Sequence, residues 1–80
     1  MKYVYLLGSG SRPDKTYIGL TENLEDRLKA HNEGSSAHTA RFRPWKLEVA
    51  IAFRQDENAE SFEEYLKSGS GRAFAKRHFW

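Results

Sequence analysis

Two tyrosines, an arginine, a histidine and a glutamate carry the chemistry available to this chain. Tyr5 and Tyr17 flank a Gly/Ser/Pro-rich segment, Arg27 and His31 stand four apart just downstream, and Glu63 follows in a separate acidic stretch. A phenol beside positive charge can take part in proton transfer. A guanidinium can hold an oxyanion through paired N–H donors. A single carboxylate suffices for a Mg²⁺ ion that keeps most of its waters. A free phenol has a pKa of about 10 and is a poor base at neutral pH. These residues therefore have a joint meaning only if the fold brings them together.

The elements that must do so are legible around them. Lys2 to Leu7 and Thr16 to Leu20 are rich in β-branched and aromatic residues, and Gly8 to Asp14 between them is a turn cluster. That is a hairpin. A loop centred near Ser11 places Tyr5 opposite Tyr17, with both hydroxyls leaving one face of the sheet; a one-residue slip would separate them. Gly19, two residues past Tyr17 on that face, then lies near Tyr3 and leaves a space in front of the sheet.

Asn23 reads as an N-cap with Asp26 three residues on, Leu24 and Leu28 share a stripe, and Gly34 ends the helix. Arg27 and His31 lie on one face beside that stripe. Alone they read as a solvated helix surface.

Ser35 to Pro44 is a loop by composition. It carries His38, Arg41 and Arg43 with Phe42 between the two arginines, a mixture suited to phosphate contact and base stacking. Trp45 to Phe53 reads as a third strand, the most buried one. Asp56 to Ser68 reads as a helix that starts near Asp56 or Asn58. Its apolar stripe is Ala59, Phe62 and Leu66, and Gly69 is its left-handed stop. Glu63 flanks that stripe and is partly buried, or simply pairs with Lys67 at i,i+4, worth about 0.3–0.5 kcal/mol when exposed.

Ser68 to Arg72 lacks the Gly-Lys-Ser/Thr ending of a phosphate loop and follows no strand, which argues against nucleotide binding. A short basic helix from Arg72 to His78 follows, packed down by Phe74 and Phe79. Its Arg72, Lys76 and Arg77, together with Lys67, face no acid beyond the carboxylate-rich run Asp56 to Glu64. Such asymmetry can gather a phosphate backbone onto one face.

Composition sets outer limits. Eighty residues make one domain, residues 1–80, with a modest core that five Phe, four Tyr and two Trp help to fill. With no cysteine, neither a disulfide framework nor a thiolate zinc site is available. His31, His38 and His78 lack metal-ligand spacing. No apolar run approaches the length of a membrane span and no signal peptide opens the chain, so the expected location is cytoplasmic.

Tyr3-Val4-Tyr5 and Tyr17-Ile18-Gly19, followed by Thr21-x-Asn23-Leu24-x-x-Arg27-x-x-x-His31, resemble the paired motifs of the GIY-YIG nuclease domain. The resemblance continues to Glu63 and Lys67 in FEEYLKSGSGRAF and so covers nearly the whole chain. It is greatest to small stand-alone members described as predicted endonucleases. Tyr3 stands where glycine often does. The polar residue, often Asn, that many members carry about a dozen positions after the glutamate is replaced by Phe74-Ala75-Lys76.

The resemblance implies an α/β (α+β) domain with a small, largely antiparallel three-stranded sheet flanked by helices. It implies divalent-metal-dependent cleavage of DNA, with RNA not excluded, weakly sequence-specific or structure-directed. Tyr17 would be the general base, Tyr5 and His31 would orient the water or phosphate, Arg27 would hold the phosphate, and Glu63 would carry one Mg²⁺ or Mn²⁺. His38, Arg41, Arg43, Lys67, Arg72 and Lys76 are the expected nucleic-acid contacts, and a homodimer or larger repair assembly would allow both strands to be cut. The alternative is a non-catalytic nucleic-acid-binding module on the same fold.

Overall fold

The computed structural model describes residues 1–80. The chain forms β1 (Lys2–Ser9), β2 (Thr16–Thr21), α1 (Leu24–Glu33), α2 (Ala37–Ala40), β3 (Trp45–Phe53), α3 (Asp56–Lys67) and α4 (Gly69–His78). The three strands make one antiparallel sheet in the order β2-β1-β3. No helix is long and apolar enough to cross a membrane.

Alternation along β1 decides the layering, because successive side chains of a strand point to opposite faces. Val4 and Leu6 point to one face and join Ala59, Leu66 and Ala75 from α3 and α4, with Phe62, Phe74 and Phe79 packed around them. Tyr5 and Leu7 point to the other and meet Trp45, with Leu24 and Leu28 of α1 alongside. The sheet is thus covered on both sides, and its central strand is fully buried from Val4 to Leu7. The sequence reading assigned that position to β3, and this is corrected: β3 is an edge strand in which Ala50 and Ala52 are exposed. Its apolar run looks continuous because small alanines fill the outward positions between Val49, Ile51 and Phe53. A register shift at Leu6/Leu7, where Leu6 pairs with Val49 but Leu7 with Leu47, reverses the alternation of β3. That bulge turns Trp45 to the Tyr5 face while Val49 and Phe53 pack on the other.

The hairpin register is also corrected. Tyr5 pairs with Gly19 and Tyr17 with Leu7, two residues away from the expected Tyr5–Tyr17 pairing. The turn tightens at Arg12–Lys15, where the Lys15 amide donates to the Arg12 carbonyl and the Ser9 amide to the Lys15 carbonyl. A slip of two preserves every face, so both tyrosines still leave the same side. The space before Gly19 is filled: a Cβ there would lie 2.5 Å from the Tyr5 hydroxyl and 2.6 Å from Cζ. Gly19 is what allows the Tyr5 ring to lie across β2, carrying its hydroxyl toward the free edge of the sheet.

Helix α1 is capped as its sequence dictates. The Asn23 side chain accepts from the Asp26 amide at 3.1 Å, and Gly34 closes the helix at φ 81°. Ser35 to Pro44, expected to be a loop throughout, contains the single helical turn α2, too short to leave a periodicity in the sequence. Gly69 is not a left-handed stop. Ser68 is extended at φ −79°, ψ 169°, and α4 starts immediately at Gly69 with the Ser68 hydroxyl capping the Gly71 amide, three residues earlier than the expected Arg72. Gly34 holds the only positive φ in the chain.

The sharp α3–α4 corner makes Gly71 indispensable. A Cβ there would overlap the Tyr65 carbonyl and the Leu66 Cα, all backbone, which no rotamer change relieves. Gly71→Ala is expected to cost more than the usual ~1–3 kcal/mol of overpacking. For a domain of this size a Tm loss of at least ~10 °C follows. A thermal melt within ~2 °C of wild type would show that the corner can open without consequence.

Candidate active site

On the Tyr5 face of the sheet, four of the five chemistry-bearing residues meet. Tyr5 and Tyr17 come from adjacent strands with ring centroids 6.2 Å apart, and the His31 ring lies 4.8 Å from Tyr17. Their i,i+4 spacing on α1 brings Arg27 and His31 to the same hydroxyl. Arg27 Nε donates to Tyr5 Oη at 3.3 Å, and Tyr5 Oη lies 3.0 Å from His31 Nε2.

The directions of these bonds follow from what each group can do. Arginine only donates, so the Tyr5 oxygen accepts from Arg27. Thr39 Oγ1 spends its proton on the Ser36 carbonyl and so accepts from His31 Nδ1–H, which leaves Nε2 of the neutral imidazole to take the Tyr5 proton. His31 is then the acceptor at Nε2 and carries its proton on Nδ1, 2.9 Å from Thr39 Oγ1. Thr39 in turn donates to the Ser36 carbonyl. One relay runs Arg27 → Tyr5 → His31 → Thr39 → Ser36, and no buried polar side-chain atom lacks a partner.

The relay fixes charge states. Burial raises the Tyr5 phenol above its ordinary value, against the opposing hydrogen bond from Arg27. Burial, and then the Arg27 charge, lower His31 below its ordinary value. Tyr5 therefore stays protonated and His31 neutral. Folding expels a proton from His31 wherever pH lies between its depressed folded value and the ordinary ~6.5. The stability it contributes is complete above ~6.5 and is lost as pH falls through the folded value. Thermal melts between about pH 7 and pH 5 are expected to show Tm falling with pH, and His31→Gln should flatten that slope. Parallel slopes for both proteins would assign the effect to another group.

Tyr17 is in a different situation. Its ring is held between His31 and Trp45, the latter 6.4 Å away, while its hydroxyl has no hydrogen bond of good geometry within the protein. The Arg27 guanidinium, raised chiefly by its bond to Tyr5, also feels the Tyr17 oxygen nearby. Tyr17 is thus the phenol that faces solvent, beside a fixed positive charge.

Glu63 approaches from α3, on the opposite side of the sheet. Its side chain is 17 % exposed and bonded to Lys67 Nζ at 2.6 Å, and its charge is felt at the Tyr5 hydroxyl as the weakest of several influences. No group of three or more His, Cys, Asp or Glu side chains is arranged to hold a metal ion. One carboxylate fits a hydrated Mg²⁺ shared with a substrate phosphate and does not fit a tightly bound resident metal.

The expected nucleic-acid contacts divide. His38 and Arg41 line a concavity of about 530 Å³ beside Tyr17, and Lys67 and Arg72 line a second of about 560 Å³ on its other side. Arg43 turns away, donating from Nε to the Ala40 carbonyl and lying against Gly34. Lys76 is exposed on α4 and lines neither concavity, while its neighbours Phe74 and Ala75 pack into the core. Thr39 and Asn32 were not singled out in the sequence. Thr39 is buried and anchors both His31 and, through its carbonyl, Trp45 Nε1. The Asn32 side chain clamps the Trp45 amide and carbonyl at 2.6 and 3.1 Å. No local pattern marks either one.

Residues 1–77 match the model of the GIY-YIG catalytic domain, and the chain belongs to that nuclease family. It is 43 % identical over 68 residues to a UPF0213 protein of Clostridium perfringens, covering 84 % of this chain and 71 % of that protein. A UPF0213 protein of Bacillus licheniformis is 41 % identical over 66 residues, covering 81 % and 66 %. The structure-specific endonuclease subunit SLX1 of Malassezia globosa is 40 % identical over 50 residues, which cover 59 % of this chain and 11 % of that subunit.

Proposed function

We propose that this protein is a divalent-metal-dependent endonuclease that hydrolyses DNA phosphodiester bonds, with Tyr17 as general base. The observation that carries this reading is the relay itself. It occupies the Tyr5 hydroxyl and leaves His31 neutral, so Tyr17 is the phenol of the pair that stands outside the relay, beside Arg27.

In the reaction a water oxygen bonds to phosphorus, one ester P–O bond breaks, and the departing oxygen gains a proton. Tyr17 takes the proton of the attacking water as the bond forms. Arg27 spends Nε on Tyr5, which leaves its Nη groups for the non-bridging phosphate oxygens, where negative charge builds. Tyr5 and His31 position Arg27 and the Tyr17 ring without themselves titrating. A Mg²⁺ or Mn²⁺ ion held by Glu63 and the phosphate would stabilise charge on the phosphate and the departing oxygen. A homodimer or larger assembly would supply the second site needed to cut both strands together.

One observation favours a binding module without turnover. The segment that in many family members offers a polar contact presents the core residues Phe74 and Ala75 and the outward Lys76. The two readings separate on labelled single-stranded, duplex and branched DNA, incubated with Mg²⁺, with Mn²⁺ and with EDTA. Metal-dependent cleavage that disappears in Tyr17→Phe and Glu63→Gln supports the nuclease. Salt-sensitive binding by all three proteins with no cleavage of any substrate rejects it.

A further inference from the structure

The concavity beside Tyr17 has a chemistry that the hydrolytic site does not use. Its aromatic floor is Phe42, set edge-on against Trp45 at 80° and 6.4 Å. Three cations lie over that one ring, Arg41 at 5.5 Å, Lys15 at 5.6 Å and Arg12 at 6.0 Å from its centroid, and Lys15 and Arg41 also line the concavity. Only Arg12 has an acidic neighbour, Asp14 at 3.7 Å, and both are well exposed, so the pair is worth little. Like charges gathered in this way repel one another until an anion joins them.

The platform is also rigid. The buried Ser9 hydroxyl donates to the Phe42 carbonyl at 2.6 Å, and the Phe42 amide donates to the Thr39 carbonyl at 3.1 Å. Thr39 is the relay residue bonded to His31, so the ring is tied to the element that holds the His31–Tyr17 pair.

We infer that this concavity is a subsite for one unpaired nucleotide of a DNA single strand, with its base on Phe42 and its phosphate among Arg12, Lys15 and Arg41. The inference deepens the nuclease reading and takes from it the nature of the substrate. Stacking decides against a duplex. About 530 Å³ is the volume of a small-molecule site, enough for a nucleotide. A base still stacked and paired in a duplex has no free face to offer. Aromatic stacking combined with backbone cations is how single strands are held. The strand has a path onward: Thr16, Tyr17 and His38 border both concavities, and the second continues to Lys67 and Arg72. The phosphate next to the bound nucleotide thereby falls at Tyr17.

The test is equilibrium binding of a labelled single strand, and of the duplex of the same sequence, measured in EDTA so that turnover plays no part. Wild type is expected to bind the single strand at least tenfold more tightly. Phe42→Leu, which keeps apolar packing against Trp45 and removes the aromatic face, should weaken single-strand binding about 5- to 150-fold and leave duplex binding unchanged. Phe42→Tyr should restore it, and Arg41→Gln should lower the salt dependence. Equal affinity for both substrates, or single-strand binding unaffected by Phe42→Leu, overturns the subsite. If wild type cleaves DNA while Phe42→Leu binds normally, the nuclease reading survives and the subsite falls. If nothing is cleaved yet binding follows Phe42, the subsite survives and the nuclease reading falls.

Discussion

Replacing Tyr17 with phenylalanine is expected to lower kcat for phosphodiester cleavage by about 10²–10⁴-fold, the usual contribution of a positioned general base, while Tm changes by no more than ~2 °C. The asymmetry follows from what the hydroxyl touches. The Tyr17 ring packs between His31 and Trp45, contacts that phenylalanine keeps, and its oxygen leaves no buried partner behind. Tyr5→Phe is the informative contrast. Removing that oxygen strands the buried His31 Nε2 and takes from the exposed Arg27 the bond that holds its Nε, at a cost of about 1–3 kcal/mol. It should therefore lower stability and activity together, whereas Tyr17→Phe should lower activity alone. Single-turnover cleavage with saturating enzyme, paired with thermal melts of each variant, reads both. If Tyr17→Phe cuts at the wild-type rate, the base is some other group and the proposed mechanism is wrong.

The pairing of the two tyrosines on one face was legible from the sequence for a reason stronger than the register that first suggested it. Side-chain direction in a strand repeats every two residues, so an error of two moved Gly19 from Tyr3 to Tyr5 and changed no face. The position of the turn was not legible. It depends on Lys15 closing back on Arg12 and Ser9, and several Gly, Ser and Pro residues compete for that role. Helix α1 was readable to its ends because both caps are side-chain or φ signatures. Strand β3 was misjudged because alanine counts as apolar in a pattern even when it faces solvent. Thr39 left no trace because its part in the relay is wholly tertiary: a threonine in a polar segment becomes a buried anchor only when α2 folds against α1 and Trp45. The sequence marks the donors and acceptors of the site, and the structure supplies the order in which they are joined.

That order bears on Glu63, whose partner competes with its proposed role. Glu63→Gln preserves volume and removes the charge, and is expected to reduce Mg²⁺-dependent cleavage by about 10³-fold, since a divalent ion supplies several kcal/mol of charge stabilisation. The fold should tolerate it, because Lys67 is 54 % exposed and an i,i+4 pair of this kind contributes only ~0.3–0.5 kcal/mol. The pair matters in another way. The ammonium occupies Oε2 at 2.6 Å, so an incoming cation must displace it or share the carboxylate with it. Lys67→Met should then lower the Mg²⁺ concentration giving half-maximal cleavage, by a few-fold, when DNA is saturating. A higher Mg²⁺ requirement in Lys67→Met would mean that the lysine assists the cation's site, most simply by holding the substrate phosphate. A Glu63→Gln variant that cleaves normally and keeps the same Mg²⁺ dependence would remove the carboxylate from the mechanism. The ion would then have to be carried by the substrate phosphate or by another single carboxylate, because no group of three or more acidic or histidine side chains could hold it.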